Sequence, residues 1–160
     1  MNLQIRNNLQ VGDIGSIIYL HGSLYAKEYD YDYTFEAYVA EPLGRFAKKN
    51  NSRERIWIVE SNEKVLGSIA LCEVSKSEAQ LRWFLISPEL RGQGIGKRLI
   101  QSLLDFAKEQ GYESISLWTV KELEAARNIY TSFDFKLTQE IEHSIWGGIH
   151  SEQKYSLLLT

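Results

Sequence analysis

Apolar and polar residues along the chain follow two spacings, one typical of strands and one typical of helices. Alternating apolar residues, or short apolar runs between polar turns, predict strands, whereas apolar residues three and four positions apart predict helices. The predicted strands occupy residues 2–6, 56–60, 65–74, 79–86 and 114–119, a stretch beginning at 135–137, and residues 154–159.

The helical spacing predicts four helices. Asp13 caps a short first helix, which we expect to end near His21 because Gly22 is a favourable residue just beyond a helix end. Thr34 is predicted to cap a second helix, which Pro42 should kink or split. The third helix follows a glycine-rich loop and ends near residue 111, and the fourth spans residues 123–133.

The order of these elements defines the expected fold. Three consecutive strands between residues 56 and 86 predict an antiparallel meander, and the strand, helix and strand that follow predict a parallel pair joined by a right-handed crossover. We therefore expect an α+β fold, with a mixed, mostly antiparallel sheet and helices on both faces, in a single domain covering residues 1–160. Residues 143–150, HSIWGGIH, are expected to form a glycine-broken loop.

Composition narrows the class of protein. The 160 residues are 44% hydrophobic, which fits one domain, and the net charge of −3 implies no broad basic face for nucleic acid. The single cysteine, Cys72, excludes a disulfide or a cysteine-based metal site within one chain, and its apolar surroundings predict a buried, inert thiol. No segment has the roughly 20 apolar residues of a membrane span and no signal peptide is evident, so we expect a cytoplasmic protein.

The most informative stretch is RGQGIGK, residues 91–97, where the strand ending at residue 86 passes into the third helix. Closely spaced glycines at a helix start leave backbone N–H groups free beside the positive end of the helix dipole, which predicts a site for an anion such as a diphosphate. Two known motifs do not fit. A dinucleotide fingerprint needs G-x-G-x-x-G after the first strand, and a nucleotide P-loop needs Gly and Ser/Thr where this chain has Arg91 and Arg98.

The chain resembles the GNAT superfamily of acyl-CoA-dependent N-acetyltransferases. One family motif, Arg/Gln-x-x-Gly-x-Gly/Ala after an apolar strand and a proline turn, is matched by Arg91, Gly94 and Gly96 after Pro88. The resemblance covers essentially the whole chain from residue 3 onward.

The second family motif is Ala-x-x-x-Tyr on a helix, followed by an aromatic-capped turn, and it is matched by Ala126, Tyr130 and the aromatic residues at 133 and 135. The chain departs from the family at Leu123, where Asn is frequent, and at Asp134, where Gly is frequent. Asp tolerates the left-handed turn that Gly usually takes better than most residues do.

The resemblance implies acetyl-CoA as co-substrate, with no metal. It implies that the strand over residues 79–86 splays from its parallel neighbour to form a wedge, and that a backbone N–H near residue 85 or 86 stabilises the thioester oxyanion. It implies that Tyr130 acts as general acid toward the departing thiolate. The cofactor-binding residues implied are Leu85, Ile86, Arg91, Gly92, Gln93, Gly94, Ile95, Gly96 and Lys97.

The general base and the acceptor pocket are less defined. Glu73, at the end of a strand, is a possible base; Glu28, Glu36, His21, His150 and a water relay are alternatives. The acceptor pocket could be lined by Tyr25, Glu28, Arg82 and Trp118. The aromatic and acidic segment at residues 25–38 is either a lid over the site or cover for the sheet.

The resemblance implies transfer of an acetyl group from acetyl-CoA to the amine of a small molecule, and we expect the transfer to be direct because no residue has the character of a covalent acyl carrier. The alternatives are a non-catalytic acyl-CoA-binding module and a protein N-acetyltransferase. Residues 21–36, 53–60 and 116–119 are also similar to acetyltransferase domains that are often fused to MarR-type regulators. A homodimer is a further possibility, since apolar C-terminal strands in the superfamily often pair across subunits.

Overall fold

The computed structural model describes residues 2–160, and within them the chain forms a seven-stranded sheet, four α-helices and a short 3₁₀ turn at Pro88–Leu90. The strands are β1 Leu3–Arg6, β2 Arg55–Ser61, β3 Lys64–Glu73, β4 Glu78–Ile86, β5 Ser114–Val120, β6 Lys136–Ile145 and β7 Gly148–Leu158. The helices are α1 Asp13–Tyr29, α2 Tyr33–Lys49, α3 Ile95–Glu109 and α4 Glu124–Ser132.

The strands lie in the order β1-β2-β3-β4-β5-β7-β6. The pairs are antiparallel except for β4 and β5, which run parallel as the crossover through α3 requires. This arrangement confirms the predicted α+β fold with a mixed, mostly antiparallel sheet.

Two apolar clusters cover the two faces of the sheet, so the helices lie on both faces as predicted. On one face, Leu99, Leu103 and Ala107 of α3 pack with Tyr130 of α4 against the sheet. On the other face, α1 and α2 contribute a second cluster that contains Ile17, Phe35, Val39 and Leu43. The sheet therefore separates two compartments, and a gap in it would connect them.

The first helix is longer than predicted. It continues through Gly22 to Tyr29 and ends where Asp30 takes a left-handed φ of 60°. Gly22 is thus an internal residue of the helix and not a stop. It faces α2, and a Cβ there would require the flexible Glu36 side chain of α2 to move.

The second helix also differs in detail from the prediction. Asp32, rather than Thr34, is its N-cap, with the carboxylate accepting from the Thr34 N–H at 3.0 Å. The helix is not split at Pro42, since buried Val39 and Leu43 hold the turns on both sides of it against the sheet.

The expected loop at residues 143–150 is instead the tip of a hairpin. Strands β6 and β7 pair up to Ile145 and Gly148, leaving a two-residue turn at Trp146 and Gly147. Both turn residues have positive φ, 55° and 86°, which is the requirement of a type I′ hairpin turn. The turn places Trp146 within the aromatic residues of the α1 and α2 face.

Candidate active site

A cleft opens where β4 and β5 separate. The two strands pair only over Glu78–Gln80 and Ser114–Ser116, and beyond these residues they diverge as the predicted wedge. The cleft has a volume of about 590 Å³ and is lined by residues of α1, α2, β4, β5, α3 and α4 and of the β6–β7 turn. Both faces of the sheet therefore contribute to one continuous space.

A β-bulge shapes the β4 wall of this cleft. Ser68 of β3 pairs with Leu85 and Ala70 pairs with Arg82, so one residue of β3 faces two of β4. Trp83 at the bulge has φ 49°, and its carbonyl accepts from the Ser68 hydroxyl at 2.7 Å. A left-handed conformation is unusual for a bulky residue, and such strain is concentrated at functional sites.

The glycine-rich loop lies at one end of the cleft, which we call the donor end. Gly94 is the N-cap of α3 with φ 77°, and Gly92 also has positive φ at 79°. The first intrahelical bond runs from the Arg98 N–H to the Gly94 carbonyl, and within residues 2–160 no backbone carbonyl accepts from the N–H groups of residues 92–97. These N–H groups are thus available to an anion.

The glycines of this loop have different roles. A Cβ on Gly92 or Gly94 would meet no atom within 4 Å, so these two glycines serve the left-handed backbone and leave open space in front of it. A Cβ on Gly96 would lie 3.1 Å from the Phe84 ring, so Gly96 serves the packing of α3 on β4. The resemblance placed Gly96 among the cofactor-binding residues and did not indicate this packing role.

The end of β4 turns its backbone into the cleft at Ile86. The Ser87 N–H donates to the Leu66 carbonyl of β3. Because successive N–H groups of a strand point to opposite sides, the Ile86 N–H points away from β3 and into the cleft. Arg91 Nε donates to the Ile86 carbonyl at 3.2 Å. Leu85 and Ile86 are the two predicted positions for an oxyanion donor. Only the Ile86 N–H is directed into the space between β4 and β5.

Arg91 also connects the donor end to α1. Its Nη1 and Nη2 donate to the two Glu28 carboxylate oxygens at 2.6 and 2.8 Å, a bidentate pair. This contact lowers the pKa of Glu28 below its usual value. Gln93 of the same loop turns back to donate to the Glu89 carbonyl at 3.3 Å and does not line the cleft, whereas Ile95 and Lys97 do.

Tyr130 lies at the centre of the cleft wall and is 5% exposed. The rings of Phe84, Phe135 and Tyr155 surround it with centroid distances of 6.0, 6.0 and 6.3 Å. Burial raises its pKa strongly, and the neighbouring Tyr25 phenol adds to the effect. Tyr130 therefore stays protonated at physiological pH, as a proton donor requires.

The turn after Tyr130 fixes its position. The N–H groups of Phe133 and Phe135 both donate to the Tyr130 carbonyl at 3.1 Å. Between them Asp134 has φ 70°, so it takes the left-handed conformation that the sequence predicted for it. Leu123 lines the cleft and packs with the α1 and α2 face.

Aromatic residues form the opposite end of the cleft, which we call the acceptor end. Tyr25 packs on Phe35 with ring centroids 4.6 Å apart, and Tyr31 packs on Trp146 at 5.2 Å. Trp83 of the bulge lines the same space. The segment at residues 25–38 is therefore a wall of the cleft, and Trp146 is a wall residue that sequence reasoning missed.

The four predicted pocket residues line the cleft, whereas the predicted base does not. Tyr25, Glu28, Arg82 and Trp118 all line the cleft, and Trp118 is 37% exposed. Glu73 does not line it. The Glu73 carboxylate pairs with Arg53 at the end of β3 remote from the Gly67–Ile86 pair, so the structure does not bring the predicted base to Tyr130.

Two other candidate bases, His150 and Glu36, do not line the cleft. His150 lies outside the cleft wall, with Nδ1 2.7 Å from Glu122 Oε1, and Glu36 is exposed beside Gly22. Cys72 is partly buried, and burial raises the pKa of its thiol to about 12. Glu152, which sequence reasoning did not single out, lines the cleft and lies 3.3 Å from His143.

Residues 2–160 hold no group of three or more His, Cys, Asp or Glu side chains arranged to bind a metal ion. No helix in this range combines the length and the apolar character needed to cross a membrane.

Comparison with solved structures defines the class of fold. An N-acetyltransferase from Staphylococcus aureus Mu50 aligns over 100% of both chains with a TM-score of 0.79 and 21% identity. The structure of yncA from Salmonella typhimurium, solved with its cofactor acetyl-CoA, aligns over 99% of this chain and 94% of its own, with a TM-score of 0.78 and 15% identity. The fold is that of these acetyltransferases.

Sequence comparison then identifies the family. Residues 22–135 match the model of the Acetyltransferase (GNAT) family, and the chain belongs to this family. It is 35% identical to human N-acetyltransferase 8B over 95 residues, which are 56% of this chain and 42% of that protein. The chain thus aligns with less than half the length of the curated relatives it matches. The predicted membership of the GNAT acetyltransferase family is therefore confirmed.

Proposed function

We propose that the chain transfers an acetyl group directly from acetyl-CoA to the amine of a small molecule. The observation that carries this proposal is the continuity of the cleft, which runs from the free N–H groups of the glycine-rich loop past Tyr130 to the aromatic acceptor end. Both substrates could therefore be present together, and no covalent acyl-enzyme is needed.

Each part of the cleft has a role in this proposal. The N–H groups of residues 92–97 bind the diphosphate of the donor, and the Ile86 N–H stabilises negative charge on the thioester oxygen. As the amine forms its bond to the acetyl carbon, the carbon–sulfur bond breaks and Tyr130 gives its proton to the departing sulfur. The proton released by the amine passes to water or a base, and Tyr130 regains a proton from solvent before the next turnover.

The aromatic acceptor end supports a small acceptor. Rings from α1, the α1–α2 connection, α2 and the β6–β7 turn line the cleft on that side, with Tyr31, Phe35 and Trp146 in mutual contact. A protein substrate would need an open groove in place of this wall. The same rings offer apolar area to the body of an amine.

The test is a thiol-release assay with acetyl-CoA and a panel of small amines. Tyr130→Phe should lower kcat by about 100-fold or more, because it removes the proton donor, while calorimetry shows unchanged acetyl-CoA affinity. Tyr155→Phe is the matched control, because it removes a hydroxyl from a buried neighbouring ring. Thiol release that is absent with every amine, or equal in the two variants, would contradict the proposal.

We also propose a cytoplasmic location and a relation to the acetyltransferase domains fused to MarR-type regulators. A homodimer is supported by β6, which lies at the edge of the sheet with Leu137 half exposed. Sizing by light scattering would test the dimer, and a monomeric mass at micromolar concentration would contradict it.

A further inference from the structure

His21 is a buried polar residue with an unused hydrogen-bonding atom beside the cleft. It lies on α1, is 4% exposed and lines the cleft. Its Nδ1 lies 2.8 Å from the Ile17 carbonyl oxygen of the same helix. A carbonyl can only accept, so Nδ1 carries the hydrogen, and the neutral ring keeps a lone pair on Nε2.

That lone pair has no protein partner. Within residues 2–160, Nε2 is buried and lies within hydrogen-bonding distance of no donor. Leaving a buried polar atom unsatisfied costs about 1–3 kcal/mol, so an atom of this kind beside a substrate cleft points to a ligand that completes it. Burial lowers the pKa of His21 to about 4, which keeps the ring neutral and Nε2 an acceptor at physiological pH.

Helix α1 aligns His21 with the path of the reaction. Glu28 contacts Arg91 at the donor end, and Tyr25, about one turn earlier, neighbours Tyr130 closely enough to affect its pKa. His21 lies one further turn along, with its ring stacked on Tyr25 at 6.0 Å. Seven residues of helix span about 10.5 Å, so the three side chains follow one another along the α1 wall of the cleft, starting from the contact with the glycine-rich loop.

We propose that Nε2 of His21 accepts a hydrogen bond from an N–H of the acceptor amine and so holds the amine lone pair toward the thioester carbon. His21 is on this view a positioning residue for the acceptor, and the inference rests on the proposed acetyl transfer. Nothing is oxidised or reduced, and His21 takes no proton in this role.

Two substitutions separate this role from a structural one. His21→Asn keeps an N–H near the Nδ1 position for the Ile17 carbonyl but has no atom at the Nε2 position. His21→Gln places an amide oxygen near the Nε2 position and gives up the short bond to Ile17. We expect His21→Asn to lower kcat/KM for the amine about tenfold, equivalent to one hydrogen bond, and His21→Gln to recover most of it.

Acetyl-CoA affinity and Tm are measured for both variants, and acetyl-CoA affinity should not change in either. Wild-type kcat/KM in His21→Asn, or equal losses in both variants that follow Tm, would overturn the inference.

A binding measurement tests the role of His21 separately from the proposed reaction. In wild type saturated with CoA, each amine of the panel is added in turn, and an amine that binds should move the nitrogen resonance of His21 Nε2. An unmoved resonance overturns the role of His21 even if turnover is intact, whereas a moved resonance without turnover supports that role and contradicts only acetyl transfer.

Discussion

The two ends of the cleft are built from different parts of the chain. The donor end is a contiguous loop, residues 91–97, and it presents mainly backbone N–H groups. The acceptor end is built from side chains of α1, α2, β4 and the β6–β7 turn, which are separated by up to about 120 residues in sequence. One end is specified by local conformation and the other by tertiary packing.

This difference has a chemical reason. A diphosphate is common to every acyl-CoA, and backbone N–H groups at a helix start can bind it whatever the neighbouring side chains are. An acceptor amine is distinguished by shape and polarity, which only side chains can match. A backbone site should therefore be sensitive to changes in φ and in free space, and a side-chain site should be sensitive to single polar atoms.

The largest expected effect tests the donor end. Gly94→Trp should weaken acetyl-CoA binding by about 100-fold or more, about 3 kcal/mol by calorimetry, because the indole fills the open space in front of the loop. Gly111→Trp is the matched control, since Gly111 also has a positive φ of 82° and open surroundings but lies outside the cleft. Both variants carry a similar backbone strain, so equal loss of binding in the two would show that the loop has no special role.

The second prediction concerns the stability of the folded protein in acid, which depends on His21. The pKa of His21 is lowered from 6.5 to about 4, so between these values the unfolded chain binds a proton that the folded chain excludes. The stabilisation is complete above pH 6.5 and is lost as pH falls toward 4, for a total of about 3 kcal/mol. Urea unfolding of wild type and His21→Gln at pH 7.5 and pH 4 should therefore show wild type losing more stability. Parallel losses would mean that His21 is not buried as a neutral ring.

The smallest expected effect concerns the contact that joins the two ends. Glu28→Gln removes a partly exposed ion pair and frees Arg91, so acetyl-CoA affinity should rise by up to about fivefold. Glu41→Gln, which removes the exposed pair with Arg45 on α2, should leave that affinity unchanged. A loss of affinity in Glu28→Gln would instead mean that the pair holds the donor end in its binding conformation.

The sequence predicted the parts of the molecule whose signals are local. The strands of the meander, the start of α3 and the left-handed turn at Asp134 all follow from neighbouring residues, and the structure contains them. The length of α1 was mispredicted because the sequence does not distinguish a glycine that ends a helix from one that faces a neighbouring helix, as Gly22 does. The role of Trp146 could not be predicted, since it depends on a hairpin turn folding back onto α2. The one available signal was Gly147, since glycine is favoured at the second position of a two-residue hairpin turn.

The bulge at Trp83 also makes the geometry of the cleft depend on the length of β4. Its extra residue determines which face each later side chain of β4 occupies and directs the Ile86 N–H into the cleft. A one-residue deletion between positions 81 and 85 would reverse that alternation and turn the same N–H toward β3. A substitution in this part of β4 leaves the alternation unchanged. The number of residues before Ile86, more than their identity, therefore determines whether its N–H reaches the cleft.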